Sequence, residues 1–224
     1  MALRTTTESR REPLSRARIL ATATRIADSE GLEALSMRRI ASELEASPMA
    51  LYNHIPNKDA LLDELSASLL EEMDLSDIDM SDPGVALRQG YGEFRRVLLR
   101  HPNLIPLLEH RTSSSPDAMR PIELALALLR DLGFSPEDAL QAHWALSGYT
   151  MGHVVWQISS PLFQEGTGAH HAIEHKRALP AEQFPCLHDA LPWLEDCDMD
   201  KAYDFGVDCL IQGFKARIGV GSAD

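Results

Sequence analysis

Cysteine is scarce in this chain, with three residues, Cys186, Cys197 and Cys209, in 224. They are odd in number, share no metal-ligand spacing and fall late, which argues against a disulfide framework or a cysteine zinc site and leaves reduced core or surface residues. Long apolar runs are missing too. Nothing approaches the ~18 to 20 apolar residues of a membrane span, and the polar, arginine-bearing stretch 1–18 has no apolar signal-peptide core. A cytoplasmic location with no membrane partner is expected. Sustained period-two alternation between hairpin turns is absent, so no β-sheet is expected. Basic charge is in deficit, 21 Lys and Arg against 34 Asp and Glu for a net charge of -13, which at first sight excludes a nucleic-acid partner.

The distribution of charge reverses that exclusion. The first sixty residues hold nine basic side chains (Arg4, Arg10, Arg11, Arg16, Arg18, Arg25, Arg38, Arg39 and Lys58) against eight acidic ones, so the acidity belongs to the rest of the chain. A near-neutral head with clustered arginine can hold a phosphate backbone while an acidic body stays clear of it. The asymmetry also predicts two functional regions.

What recurs from end to end is helical periodicity with helix punctuation, and the chain reads as all-α. A first helix is expected over about 13–30, with Ile19, Leu20, Ala23, Ile26 and Ala27 in one stripe and Gly31 as the stop. Ser36 caps a second, whose Ile40, Ala41 and Leu44 face inward. Ser47 followed by Pro48 opens a short third, about 48–54. Asn57 caps a fourth, carrying Leu61, Leu62, Leu65, Leu69 and Leu70. The acidic, turn-rich stretch 74–82 marks a boundary. Beyond it, helices are expected from Asp82-Pro83 to about 100, over 102–109, from Ser115-Pro116 to Gly133, from Ser135-Pro136 to about 159, and over about 200–218. A polar loop is expected between 160 and 180.

The second helix, a tight turn and the third helix occupy only residues 36–54, the compact plan of a helix-turn-helix whose second helix enters the major groove. Pro48, Met49, Tyr52 and Asn53 offer a thin outer edge, while Ala50 and Leu51 are small or inward. Ser47 and Lys58 stand at helix N-termini, where N–H groups and added positive charge suit phosphate oxygens. Arg38 can reach a guanine edge or a phosphate. The alternative is that Tyr52 and His54 merely pack the small domain and Ser47 merely caps.

The order of residues adds to this. The stretch GLEALSMRRIASELEASPMALYNHIPNKDALLDEL, residues 31–65, resembles the DNA-binding domain of the tetracycline-repressor (TetR) family through Ser36, Ile40, Ala41, Leu51, Tyr52, Asn53, His54, Lys58, Leu61 and Leu62. Glu45 departs from it where the family usually has Gly, a turn position that favours a left-handed backbone, and Ile55 replaces the common Phe or Val. The resemblance implies base contacts from Arg38, Pro48, Met49 and Asn53, and phosphate contacts from Ser36, Ser47, Tyr52, His54 and Lys58. Double-stranded operator DNA is the implied partner and repression the usual sign.

The segment 94–157, with FRRVLLRHPN, LGFSPEDAL and SGYTMGHVVW, resembles the C-terminal domain of the same class, which implies a four-helix dimer bundle and an effector pocket. Ala145, Gly148 and Gly152 at helical spacing would let backbones approach, and Phe205, Leu210 and Phe214 give the final helix apolar surface. The alternative is packing within one subunit. Phe94, Leu108, Leu124, Leu140 and His143 fall where the class lines its pocket, although each suits an ordinary core. The class's magnesium-holding His aligns with Leu108, or with His110 after a shift of two, and its partner carboxylate with Trp156. Tetracycline is therefore not the expected effector; an apolar small molecule is, and no cofactor.

The resulting division is a basic arm at 1–14, a helix-turn-helix domain at 15–60, a ligand-binding and dimerisation domain at 61–218 and a tail at 219–224. Two competing readings remain. His171, Glu174 and His175 match the H-x-x-E-H pattern of a zinc hydrolase, a short pattern easily met by chance among nine His. The same fold could also serve as a DNA-free ligand-binding protein. An enzyme is not expected.

Overall fold

The computed structural model describes residues 13–110, 115–163 and 167–221, so most of the expected arm at 1–14 lies outside the described residues. Eleven α-helices and no strand occur among those described. The first four are α1 (Arg16–Glu30), α2 (Met37–Glu43), α3 (Pro48–Tyr52) and α4 (Lys58–Glu71). Then follow α5 (Pro83–Arg100), α6 (Ile105–His110), α7 (Pro116–Asp131) and α8 (Pro136–Ser159). The chain ends in α9 (Thr167–Arg177), α10 (Pro185–Glu195) and α11 (Met199–Gly221).

Local chemistry sets the helix ends. Ser15 rather than Pro13 caps α1, its hydroxyl accepting from the Arg18 N–H at 3.2 Å. Helix α3 stops two residues before the expected end because Pro56 disfavours a helical backbone at Ile55. The His54 and Ile55 N–H groups turn back to the Leu51 carbonyl, each at 2.9 Å. Ser135 caps α8, but Ser115 does not cap α7 with its side chain; its hydroxyl donates instead to Glu71 Oε1 at 2.8 Å, tying α7 to α4.

The loop expected between 160 and 180 is a correction, because α9 occupies most of it. Gly166 and Gly168 invite a loop reading, yet Gly168 sits in the helix's first turn. The following α10 was not anticipated either. Both are short and each buries little, Ile173 on α9 and Leu191 on α10, so neither shows a wide apolar stripe. Helix α11 runs to Gly221, into the expected tail, and 222–224 lie outside the described residues.

Two cores result. One gathers Ile19, Ile26, Ile40, Leu51, Ile55, Leu61 and Leu65 from α1 to α4, and it also takes in Val97, Leu104 and Leu107 from beyond the expected boundary at residue 60. The other gathers Leu87, Tyr91, Leu98, Leu129, Leu146, Tyr203 and Val207 from α5, α7, α8 and α11. Met73 and Leu108 pack against both. A push on either side chain is thus felt in both cores, since close-packed interiors transmit displacement.

Candidate functional site

The turn between α2 and α3 is a six-residue wrap closed by backbone bonds. The Glu45 N–H donates to the Ser42 carbonyl at 3.2 Å and the Ala46 N–H to the Ala41 carbonyl at 2.9 Å. This is a Schellman motif, and where Glu45 suggested a slightly altered turn it instead takes φ 53°, the left-handed backbone that glycine adopts freely at this position. Ser47, whose hydroxyl accepts from the Ala50 N–H at 3.2 Å, then starts α3. Asn57 does the same for α4, accepting from the Ala60 N–H at 2.8 Å. Charge fixes α2 against α1. The Arg39 guanidinium donates to Glu30 at 2.6 Å and to Glu43 at 2.7 Å, holding both carboxyls below the usual carboxylate range, and Arg25 donates to Glu43 at 2.6 Å.

Ser36, Arg38, Ser47, Pro48, Met49, Tyr52, Asn53, His54 and Lys58 are all exposed, whereas Leu51 and Ile55 between them are fully buried. Met49 is 72% exposed and Tyr52 44%, so Tyr52 does not serve as a core residue, and the exposed His54 does not either. Arg38 and Lys58 have no ion-pair partner among the described residues, in contrast to Arg25 and Arg39. A convex edge of donors and small apolar groups is left facing solvent, with two unneutralised cations at its rim.

The second feature is a cavity of about 170 Å³ between α4, α5, α6, α7 and α8. Leu70 and Met73 form its wall toward α4, and Phe94, Leu108 and Leu124 belong to its apolar lining. One pole is polar. The Tyr91 hydroxyl lies 2.7 Å from His143 Nδ1, with Ser147 one turn further along α8. Burial pushes the Tyr91 phenol up and the His143 ring down, so near neutrality both are uncharged and the ring nitrogen can accept the phenol's proton. Leu140 is a correction, since it does not line the cavity and is 37% exposed. It shares the helical face of His143 but stands a turn nearer the start of α8 than the cavity reaches. The side chain of His110 lies outside the described residues.

A third feature is an open face. Trp144, Ala145, Gly148, Gly152, Val155 and Trp156 are exposed along α8, and a Cβ built on Gly148 or Gly152 would meet nothing within 4 Å. On α11, which packs beside α8, Phe205 is 74% exposed. Leu210 and Phe214 are half-buried against the protomer's own core, Phe214 edge-on to Phe134 at 6.0 Å between centroids.

Comparison with known proteins decides what these features belong to. Residues 87–218 match the family described as tetracyclin repressor-like, C-terminal domain, and residues 19–65 match the bacterial regulatory proteins of the tetR family. The chain belongs to the TetR family. It is 32% identical over 222 residues to an HTH-type transcriptional regulator of Saccharopolyspora erythraea, covering 95% of this chain and 90% of that one. It is 30% identical over 212 residues to the class D tetracycline repressor protein of Escherichia coli, covering 92% and 91%. Among solved structures, apo ActR of Streptomyces coelicolor superposes with a TM-score of 0.81 at 30% identity, covering 94% of this chain and 99% of that one. ActR in complex with actinorhodin gives 0.79 at 31% identity, covering 93% and 100%.

As a TetR-family member the protein is a helix-turn-helix transcriptional regulator, and the zinc-hydrolase alternative falls away. His171, Glu174 and His175 do lie on a helix, α9, where a loop was expected, but Glu174 is engaged by Arg177 and no group of three metal-ligating side chains occurs among the described residues. No helix among the described residues is long and apolar enough to cross a membrane. The three cysteines are free and exposed. Sequence reasoning missed Tyr91 and Ser147 at the cavity's polar pole, and Leu70 and Met73 on its wall. Nothing local marks Tyr91, whose partner His143 is 52 residues away. Leu70 was assigned only to an apolar helix face, which a cavity wall and a core share.

Proposed function

We propose that this protein is a cytoplasmic homodimeric repressor that binds a palindromic operator and releases it when a small molecule enters the cavity. The observation that carries the reading is the convex edge at α2, α3 and the start of α4, exposed throughout while its intervening residues are buried. In it, α3 enters the major groove with Pro48, Met49 and Asn53 at base edges and Arg38 beside them. Ser36, Ser47, Tyr52, His54 and Lys58 meet the flanking phosphates. One such head reads few bases, and two related by a two-fold axis read half-sites ~34 Å apart or a multiple of it. The open face of α8 and α11 supports that pairing, with Ala145, Gly148 and Gly152 allowing close helix approach and Phe205, with Leu210 and Phe214 behind it, supplying apolar area.

The effector is an uncharged, apolar-bodied molecule with one hydrogen-bonding end. Among the described residues the cavity lining holds one neutral imidazole, one phenol and one hydroxyl, and no carboxylate, lysine or arginine, so an ionic or metal-chelated effector would lose its hydration without a counter-charge from them. Size adds a mechanism. An apolar cavity of about 150 Å³ takes benzene, so a molecule much beyond one ring either extends through the open side of this cavity or displaces its walls, where Leu70 and Met73 convey the displacement through α4 toward the DNA-binding core. Such coupling is typically worth ~1 to 3 kcal/mol. The complex of ActR with actinorhodin supports a small-molecule effector here.

The test is fluorescence anisotropy of the full chain on DNA upstream of its own gene, at several salt concentrations, with a Tyr52→Ala, Asn53→Ala variant. Expected are tight, steeply salt-dependent binding to one palindromic fragment and a loss of at least about tenfold in the variant. Weak binding, equal for unrelated DNA and unchanged in the variant, followed by an empty genome-wide selection, would leave the DNA-free ligand-binding protein as the better reading.

A further inference from the structure

We propose that His101 is a positioning residue, a proton-dependent clamp holding the DNA-binding core to the effector domain in the operator-binding arrangement. It rests on the reading of a ligand-released repressor. His101 ends α5, is 6% exposed and lies where three elements meet. Its Nδ1 is 2.8 Å from Asp28 Oδ2 on α1, and its Nε2 is 2.9 Å from Glu72 Oε2 at the end of α4. Two residues on, the Asn103 amide donates to the Ala27 and Asp28 carbonyls at 3.1 and 3.0 Å, fastening the last turn of α1 to the same corner.

The donor count makes the clamp depend on a proton. A carboxylate only accepts, a neutral imidazole has one N–H, and an imidazolium has two. Both contacts are hydrogen bonds to carboxylates only when the ring carries two protons. The surroundings decide which contact needs that charge more. Glu72 is also served by Arg100 at 2.7 Å and by Arg96 at 3.8 Å, and Arg96 is shared with Glu93. Asp28 has no other charged partner among the described residues, and its Oδ1 is buried with no hydrogen bond. Removing a proton therefore either abandons Asp28 or sets a ring lone pair against Glu72. In both cases one of the two ties between α1 and α4 is lost. Histidine is the side chain whose charge ordinarily changes near neutrality.

Glu72 lies between Leu70 and Met73 on the cavity wall, so the effector and the proton act on one segment. Both His101 contacts are made in the structure, which is the closed clamp. Raising the pH opens it and lowers operator affinity, in the same direction as the effector.

The experiment takes an operator selected from a random duplex pool with the full wild-type chain and measures affinity from about pH 6 to about pH 8.5 at fixed ionic strength, for wild type, His101→Gln and Asp28→Asn. His54 at the DNA face is unchanged in all three, so the difference between profiles isolates the clamp. Wild-type affinity is expected to fall at least about fivefold more than that of either variant. Parallel profiles overturn the proposal. Should His101→Gln fail to fold, Asp28→Asn, which keeps the ring, decides alone. Nitrogen NMR of the histidine rings in the free protein makes a second arm, expected to find both His101 nitrogens protonated at the acid end and one at the alkaline end. One proton throughout overturns the clamp. If no operator is selected at all, the DNA reading has failed, and the ring titration still judges the clamp.

Discussion

Glu45 holds a left-handed backbone at φ 53° where the Schellman turn needs one, and a side chain there costs about 1 to 2 kcal/mol relative to glycine. Glu45→Gly is therefore expected to raise the thermal midpoint by about 2 to 8 °C in a chain of this size, read by circular dichroism. An unchanged or lower midpoint would mean that contacts of the Glu45 side chain offset the strain. The buried imidazoles make a second residue-level case. His143 is held below the ordinary histidine range by burial, and His153 by burial and then by Arg95. A depressed folded-state value means the unfolded chain takes up the proton first. Stability is thus full above about pH 6.5 and lost as pH falls toward the folded values. Melting at about pH 7 and about pH 5 is expected to show this loss, reduced in His143→Gln; an identical loss in that variant would remove His143 as a cause.

At the scale of elements, the chain's legibility followed from how much each helix says locally. Helices α2, α4, α5 and α8 carry a capping residue and, in α5 and α8, a proline at the first position, and their starts match expectation. Helix α10 lacks a capping hydrogen bond, and neither α9 nor α10 buries a broad apolar face; the two pack together, with Ile173 and Leu191 their buried side chains. Among the site residues, those of α2 and α3 were readable because recognition surface, cap and buried partner alternate within a few positions. The cavity was readable only in part. Leu124 and Leu140 carry the same side chain on neighbouring helices, yet one lines the cavity and the other is exposed, a difference no local pattern marks. Tyr203 lay wholly outside expectation. It donates to the Tyr91 carbonyl at 2.9 Å across 112 residues, and burial pushes its phenol up to about 12.

For the whole molecule, the open face of α8 and α11 carries the prediction. Both glycines are exposed and a Cβ at either meets nothing within 4 Å, so Gly148→Leu, Gly152→Leu is expected to leave the fold intact. In a two-fold bundle the same leucines block helix approach. Light scattering should then report a monomer and anisotropy a loss of operator binding; a dimer that still binds would place the interface elsewhere.

The sequence by itself determined the all-helical class, the helix-turn-helix between residues 36 and 54 and the separation of a near-neutral head from an acidic body. Each rests on neighbours within a few positions, where capping, periodicity and charge density are local quantities. Only the tertiary structure decided that Met73 and Leu108 belong to both cores, that Tyr91 meets His143, and that His101 bridges Asp28 and Glu72. Those contacts join residues 29 to 73 positions apart. The angles at which packed helices cross set such pairings, and no local pattern records a crossing angle.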